Sequence, residues 1–190
     1  MRCAWRVEVS GKLAASRFVF VDEMGSNTSL SPLYGWSKVG ERLRAEAPKN
    51  WGKNVTLICS MTLSGMGPSV AVEGATTRAA FEAYVEQALA PSLSPGQVVV
   101  MDNLSAHKGG RVRDLVEKRG CELYYLPPYS PDLNPIEEAF SKVKGILRKA
   151  RARTRQALIE AMGGALGAVS ASDARGFFGH SGYRVMGQPF

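Results

Sequence analysis

The chain has 190 residues, which is enough for one domain with a substantial hydrophobic core. Its composition, 45% hydrophobic and 22% charged, is typical of a soluble globular protein, and no apolar run reaches the length of about 18 residues that a membrane-spanning helix needs. The formal net charge of +7 favours a polyanionic partner. Residues 1–17 lack the apolar core of a signal peptide, so we expect a cytoplasmic protein.

Cysteine and histidine are too scattered to predict a zinc site. The three cysteines, Cys3, Cys59 and Cys121, form no Cys-x-x-Cys pair, and two of them lie in apolar runs. Buried free thiols are therefore expected. With only His107 and His180 besides, the sequence lacks the ligand pattern of a structural zinc site.

The first predicted strand ends in an acid. Four consecutive apolar residues, Phe18–Val21, predict a strand buried on both faces, and Asp22 and Glu23 follow it directly. An acid at the end of a buried strand can do chemistry, or it can cap the following turn. This segment alone leaves both interpretations open.

The next segment, residues 24–51, is rich in glycine, serine and proline and predicts one or two short strands joined by loops. Basic and aromatic residues are interleaved here, and Lys38 and Arg42 are candidates for nucleic-acid contact. A solvated loop with no partner has a similar composition, so both interpretations stay open.

Residues 54–126 alternate between predicted strands and helices. The predicted strands cover residues 54–61, a segment up to residue 72 that follows a turn at 65–68, residues 98–101 and residues 121–126. The predicted helices cover residues 75–90, capped by Thr76 or Thr77, and residues 109–120.

The strand Val98–Met101 has the same pattern as the first one, because it is wholly apolar and runs directly into an acid, Asp102, which Asn103 follows. If the two strands are neighbours and their ends align, Asp22 and Asp102 lie side by side. Like charges at that range repel each other and raise a pKa, unless a divalent cation compensates them.

The segment Tyr129–Phe140 predicts a proline-stiffened loop that leads into a helix. Asn134 is a good N-cap, Pro135 suits the first helical position, and Glu137 falls where a capping-box acid lies. One carboxylate is thereby held at the start of a helix that we expect to extend to about residue 150.

The helical period of about 100° per residue indicates which acid of this helix faces inward. The core stripe consists of four apolar residues, Ile136, Phe140, Val143 and Leu147. Glu137 lies on the flank of that stripe, and Glu138 points to solvent. Glu137 either completes the helix cap alone or joins Asp22 and Asp102, in which case three convergent carboxylates suit Mg²⁺ or Mn²⁺.

A one-sided basic run follows these acids. It contains seven cations and no acid, namely Lys142, Lys144, Arg148, Lys149, Arg151, Arg153 and Arg155. Such a run is often a solvated face, but its charge also suits contact with phosphates. A further helix is predicted over residues 155–170, and the glycine-rich end of the chain is predicted to be weakly structured.

Three segments carry a family pattern: FVFVDE (Phe18–Glu23), VVVMDNLSAH (Val98–His107) and YSPDLNPIEEAF (Tyr129–Phe140). Together they resemble the DDE transposases of the Tc/mariner superfamily, with bacterial insertion-sequence members as the most similar type. The third segment is highly specific. Between Asp102 and Glu137 stand 34 residues (137 − 102 − 1), which is the spacing typical of this superfamily.

The resemblance implies an α/β, RNase H-like fold with a central mixed five-stranded sheet flanked by helices. It implies a DDE catalytic domain over residues 17–150, an N-terminal remnant or linker over 1–16 and a C-terminal helical tail over 151–190. Members of the superfamily normally carry N-terminal helix-turn-helix domains, and only 21 residues precede Asp22 here. We therefore expect the catalytic half alone.

Matched residue by residue, the resemblance implies that Asp22, Asp102 and Glu137 are catalytic and hold two Mg²⁺ or Mn²⁺ ions. Asp22 would contact both ions, and the other two acids would contact one each. Asn103 and His107 match a DN-x-x-x-H pattern. They are candidates for supporting the metal ligands or contacting DNA, and structural roles remain equally open.

The implied activity is metal-dependent cleavage of DNA phosphodiester bonds at transposon ends, followed by strand transfer into target DNA, usually at TA. The implied partners are double-stranded DNA and a second copy of the chain in a homodimer, with no membrane and a place at the bacterial nucleoid. The candidate DNA-binding residues are Lys38, Arg42, Lys142, Lys144, Arg148, Lys149, Arg151 and Arg153. The alternative is a catalytically silent DNA-binding remnant. A cellular RNase H-type nuclease shares the chemistry, but the SPDLNPIEE segment argues against it.

Overall fold

A mixed five-stranded sheet forms the centre of the computed structural model, which describes residues 2–11, 13–44, 46, 49, 52–103 and 109–185. The strands are β1 (Phe18–Ser26), β2 (Val55–Thr62), β3 (Gly65–Glu73), β4 (Val98–Met101) and β5 (Glu122–Tyr125). They lie in the order β3-β2-β1-β4-β5. The pairs β1–β2 and β2–β3 are antiparallel, and the pairs β1–β4 and β4–β5 are parallel. The predicted central sheet is confirmed.

Helices cover both faces of this sheet. Before β1, α1 (Arg2–Trp5) continues into a π-helical turn (Arg6–Ser10), and a 3₁₀ turn follows (Ala15–Arg17). Between β3 and β5 lie α2 (Arg78–Tyr84), a π-helical segment (Val85–Leu89), α3 (Ala90–Ser92) and α4 (Gly110–Glu117). After β5 come a 3₁₀ turn (Pro131–Leu133), α5 (Pro135–Ala150), α6 (Arg155–Gly167) and α7 (Ala171–His180). Across the described residues, none of these helices has the length and apolar character needed to cross a membrane.

The central strands are apolar along their length because helices pack on both of their faces. Phe18 and Phe20 of β1 face the layer that contains α1, α5, α6 and α7. Val19 and Val21 face the opposite layer, which contains α2 and α4. The four residues of β4 divide between the two layers in the same alternating way. The prediction of strands buried on both faces is confirmed.

The segment after β1 differs from its prediction. β1 does not end before Asp22 but continues to Ser26, because it stays paired with β2 and buries Met24 on the way. Among the described residues between β1 and β2 there is no further strand, so the one or two short strands predicted there are wrong. β3 begins at Gly65, inside the predicted turn, because the turn itself lies at residues 63–64.

The end of the chain is predicted to be weakly structured. This prediction is wrong, because the segment contains a capped helix, α7. Ser170 Oγ accepts a hydrogen bond from the Asp173 backbone N–H (3.1 Å), and the Asp173 carboxylate accepts one from the Ser170 backbone N–H (2.8 Å). Phe178 of α7 and Tyr183 after it are buried against Phe20, with ring centroids 5.3 Å and 5.0 Å from that ring. The described part of residues 151–190 therefore shares one core with the sheet.

The cysteines behave as their sequence context predicts. All three are free, Cys59 and Cys121 are buried, and Cys3 is exposed. Burial raises the pKa of the Cys59 thiol, which lies on β2 opposite Asp22. That thiol is therefore protonated at neutral pH and is not a metal ligand in this state.

Candidate active site

Two aspartates lie at the carboxyl end of the parallel strand pair. In the β1–β4 ladder Val21 pairs with Met101, so Asp22 and Asp102 follow at equivalent positions. β4 ends there, whereas β1 continues in its antiparallel pairing with β2. Asp22 is consequently buried, with 7% of its surface exposed, and Asp102 is half-buried. The two strands are parallel neighbours, and their register brings these acids side by side even though β1 extends beyond the end of β4.

Glu137 comes to the same place from the start of α5. Ile136 and Ala139 are completely buried and fix the helix against the sheet, which leaves Glu137 on the flank, as the helical period predicts. A cavity of about 410 Å³ opens between this helix and the strand ends. It is lined by Asp22, Asp102 and Glu137, together with Asn103, Asn134 and residues 126–131.

Glu138, the neighbouring acid, is predicted to point to solvent, and its side chain is only partly exposed. It is half-buried, and its Oε2 lies 3.1 Å from Nδ1 of His180 at the end of α7. The prediction misses the contact with His180 because the helical period describes α5 alone and carries no information about a second helix beside it. Glu138 does not belong to the described lining of the cavity.

Asn134 connects the start of α5 to β1. It occupies the N-cap position, as predicted, but its side chain makes no capping hydrogen bond. Its Nδ2 instead donates to Oδ2 of Asp22 at 2.7 Å, and both side chains are buried. The backbone N–H of Glu23 donates to the other carboxylate oxygen, Oδ1, also at 2.7 Å. The sequence does not reveal this role, because a capping asparagine and one that bonds a carboxylate 112 residues away have the same local context.

The electrostatics of the cavity favour a bound cation. Burial, and to a smaller extent the charges of Glu137 and Asp102, raise the pKa of Asp22 from its usual 3.8 to about 7. The hydrogen bonds from Glu23 and Asn134 lower that pKa and only partly offset the effect. Three carboxylates therefore share a space in which full ionisation is unfavourable unless positive charge is present.

The donor set of the cavity fits a hard divalent cation, because carboxylate oxygens are the ligands that Mg²⁺ and Mn²⁺ prefer. Within the described residues, no three histidine, cysteine, aspartate or glutamate side chains converge closely enough to hold one ion jointly. Asp22 and Asp102 line the sheet side of the cavity, and Glu137 lines the helix side. The volume between them has room for ions together with water or a phosphate group.

The other residues predicted beside the acids divide into three groups. Asn103 is exposed and lines the cavity directly after Asp102. His107 lies outside the described residues. Lys38 and Arg42 are exposed in the segment between β1 and β2 and do not belong to the described lining of the cavity.

Two of the predicted DNA-binding cations hold parts of the fold together. The Nζ of Lys142 donates to Oδ2 of Asp173 at 2.6 Å, which connects α5 to the start of α7. The guanidinium of Arg153 donates to the carbonyl oxygens of Thr28 and Leu30 at 2.9 Å and 3.0 Å. It thereby fixes the first residues after β1 against the segment between α5 and α6.

Four other predicted cations lie farther along α5 and at its C-terminal end. Lys144 and Arg148 are half-buried, and Lys149 and Arg151 are exposed. Arg151 has a left-handed backbone conformation, with φ of 49°, at the point where α5 ends. The described lining of the cavity contains none of these four.

Comparison with known proteins gives a family match over most of the chain. Residues 17–159 match the family described as DDE superfamily endonuclease. The chain is 28% identical over 120 residues to the transposable element Tcb1 transposase of Caenorhabditis briggsae, aligning 61% of this chain with 44% of that protein. It is 26% identical over 157 residues to the transposable element Tc1 transposase of Caenorhabditis elegans, aligning 77% of this chain with 58% of that protein. The chain thus spans about half the length of these curated relatives.

Solved structures of the mariner Mos1 transposase have the same architecture. The Mos1 transposase paired-end complex with left transposon end has a TM-score of 0.75 and 19% identity, covering 93% of this chain and 55% of that one. The mariner Mos1 paired end complex with Mg has a TM-score of 0.69 and 18% identity, covering 93% and 56%. At these identities the likeness establishes the fold, which is the RNase H-like α/β fold that the sequence predicts.

Proposed function

Because this chain belongs to the DDE superfamily of endonucleases, we propose that it is the catalytic domain of a Tc1/mariner-type transposase, which cleaves DNA at transposon ends and joins the cut ends to target DNA. The observation that carries the proposal is the cavity that Asp22, Asp102 and Glu137 line together. Strand register places the first two acids together, and the buried face of α5 directs the third toward them.

We assign these three acids as the ligands of two Mg²⁺ or Mn²⁺ ions. Such ions, when bound, activate water or a DNA 3′ hydroxyl and neutralise charge on the scissile phosphate. Asp22 is suited to contact both ions, because each of its oxygens accepts one hydrogen bond and keeps a further lone pair. Asp102 and Glu137 would contact one ion each. The Mos1 paired-end complexes solved with Mg and with Mn support this choice of metal.

The DNA backbone, in this proposal, extends from the cavity along α5. Lys144, Arg148, Lys149 and Arg151 would contact successive phosphates, and Lys38 and Arg42 would add charge from the segment after β1. Asn103 and His107 would contact DNA or support the metal ligands beside Asp102. Lys142 and Arg153 would act indirectly, since they hold α7 and the segment after β1 in place.

The assembly that we propose is a homodimer acting on two transposon ends, because the Mos1 structures are paired-end complexes. Insertion at TA is proposed from the family resemblance. Residues 17–150 would form the catalytic core, residues 1–16 would be an N-terminal remnant or linker that packs on it, and residues 151–190 would complete the core with helices. The protein would act where the transposon DNA lies, which in a bacterial host is the nucleoid.

The first test is nicking of a labelled duplex in Mg²⁺ or Mn²⁺ by the wild type, Glu137→Gln and Glu138→Gln. The two variants remove adjacent charges, but only Glu137 lines the cavity. We expect Glu137→Gln to lose cleavage by at least about 100-fold, since it removes a ligand, and Glu138→Gln to cut like the wild type. Full cleavage by Glu137→Gln, Asp22→Asn or Asp102→Asn would contradict the assignment.

DNA binding separates the catalytic proposal from the silent DNA-binding alternative. All of these variants should bind the duplex at least as well as the wild type, because each removes a negative charge. A wild-type chain that binds DNA without cutting it is then retested with an end-recognition domain supplied in trans. Continued absence of cleavage would favour the catalytically silent remnant.

A further inference from the structure

We propose that Asn134 is a positioning residue for the reaction, which holds the carboxylate of Asp22 in the orientation that binds metal. This inference rests on the proposed function, because it concerns the same cavity. Asn134 does not carry a charge and is not one of the three acids of the family pattern. Its place in the site follows from the hydrogen bond between its Nδ2 and Oδ2 of Asp22, at 2.7 Å.

Asn134 gives up the usual role of a residue at its position. An asparagine at the N-cap normally accepts a hydrogen bond from a backbone N–H of the first helical turn. In α5 that bond is absent, and the amide is turned toward β1 instead. The same chain uses the ordinary arrangement elsewhere, since Thr154 caps α6 by accepting from the backbone N–H of Ala157 at 3.1 Å. The start of α5 therefore forgoes a stabilising cap in order to contact Asp22.

The carboxylate of Asp22 is held at both of its oxygens. Asn134 donates to Oδ2, and the backbone N–H of Glu23 donates to Oδ1, both at 2.7 Å. Two donors on opposite oxygens prevent the carboxylate from rotating about its Cβ–Cγ bond. The remaining lone pair on each oxygen is thereby kept in a fixed direction, which is the condition for contacting two ions at once.

Asn134 is itself rigidly held. Leu133, directly before it, and Ile136, two residues after it, are completely buried, and the backbone N–H of Asn134 donates to the carbonyl of Pro131 at 3.0 Å. The hydroxyl of Tyr183 donates to the carbonyl of Leu133 at 2.7 Å. The proline-stiffened turn before α5 thus holds the side-chain amide of Asn134 in a fixed position. A donor that is fixed in this way can fix its acceptor in turn.

The test uses Asn134→Ser in the full chain. Serine is a favoured N-cap, so it restores the missing cap of α5. Its hydroxyl ends one bond closer to the backbone than the amide nitrogen does, so it does not reach Asp22. The substitution should therefore raise the stability of the fold and lower the affinity for metal. The readouts are thermal unfolding in EDTA, and Mn²⁺ affinity measured from the electron paramagnetic resonance signal of free Mn²⁺ in the absence of DNA.

We expect Asn134→Ser to unfold at the wild-type temperature or above and to bind Mn²⁺ about 10–100-fold more weakly, which is the usual effect of removing a partner of a metal ligand. Asn134→Ala, which restores no cap, should show the same loss of affinity. Thr154→Ala is the matched control, since it loses a cap far from the cavity and should keep the wild-type affinity for Mn²⁺. Cleavage by Asn134→Ser should recover as the Mn²⁺ concentration is raised.

Wild-type affinity for Mn²⁺ in Asn134→Ser would overturn the positioning role and leave the proposed function intact. Weak binding in Asn134→Ser together with equally weak binding in Thr154→Ala would also overturn it, because the effect would then follow stability alone. A wild-type chain that binds no Mn²⁺ would remove the metal site on which both proposals depend.

Discussion

Replacing Asp22 with asparagine should stabilise the metal-free chain at neutral and alkaline pH. Burial, aided by the charges of Glu137 and Asp102, raises the pKa of Asp22 from 3.8 to about 7. As the pH rises from about 4 to about 7, the unfolded chain releases this proton while the folded chain retains it. The free energy of unfolding therefore falls across that window and levels off above it. Asparagine has no proton to release there and avoids the loss.

The size of the effect can be worked out from the same contacts. A pKa difference of about 3, at about 1.4 kcal/mol for each pKa unit, sets an upper limit of about 4 kcal/mol. The substituted asparagine side chain would keep the hydrogen bond from the Glu23 N–H, but its amide nitrogen would face the Nδ2 of Asn134. The Asn134 amide must then turn to present its oxygen, which costs about 1 kcal/mol. We expect a net gain of roughly 1–3 kcal/mol at about pH 8.

The assay is urea unfolding of both proteins in EDTA at about pH 5 and about pH 8. The gain should be present at the higher pH and much smaller at the lower one, where the folded wild type carries a protonated Asp22. Asp102→Asn serves as the control, and its half-buried position predicts a smaller change. An Asp22→Asn chain no more stable than the wild type at the higher pH would refute the reasoning, as would an equal gain at both pH values.

Replacing Lys144 and Arg148 together with alanine should weaken duplex binding and lower the slope of log affinity against log salt by about 2, roughly one for each phosphate that is no longer neutralised. An unchanged slope in gel-shift titrations would mean that this flank of α5 does not face DNA. Asp173→Asn should lower the melting temperature at about pH 6, because the hydrogen bond from Lys142 above all holds the pKa of Asp173 down to about 2. The difference should vanish as the pH falls from about 4 to about 2, where the ionised form is lost, and a difference independent of pH would contradict this account. Mg²⁺ should raise the melting temperature of the wild type and not that of Asp22→Asn, and equal shifts would place the bound cation elsewhere.

The two buried strands and the acids that follow them could be predicted because their signals are local, whereas the five-stranded sheet in which these strands are neighbours is implied by the family resemblance. Each of the strands Phe18–Val21 and Val98–Met101 is apolar at every position, which indicates burial on both faces, and each leads directly into an aspartate. Parallel neighbours then bring both acids to the same edge. The helical period likewise places Glu137 on the flank of α5, because the buried stripe of that helix is long and regular.

Features that depend on distant contacts could not be predicted. The buried face of α7 has only Ala174 and Phe178, with Gly176 and Gly179 between and after them, so its pattern indicates no helix. Its stability comes from Phe20 on β1 and from a capping box. The contact of Asn134 with Asp22 is hidden for the same reason, because only the folded chain brings the two side chains together.

The aromatic contact between β1 and α7 also determines when this protein can fold during its synthesis. Phe20 and Phe178 touch although they lie 158 positions apart in the chain (178 − 20), and Tyr183 packs on the same ring. The central strand is made early, but the layer on one of its faces stays incomplete until α7 has left the ribosome. Contacts of such long range are formed late and at a high cost in loop closure. A nascent chain stopped near residue 150 would lack the Phe178 and Tyr183 rings, leave Phe20 partly exposed to solvent and be prone to aggregation.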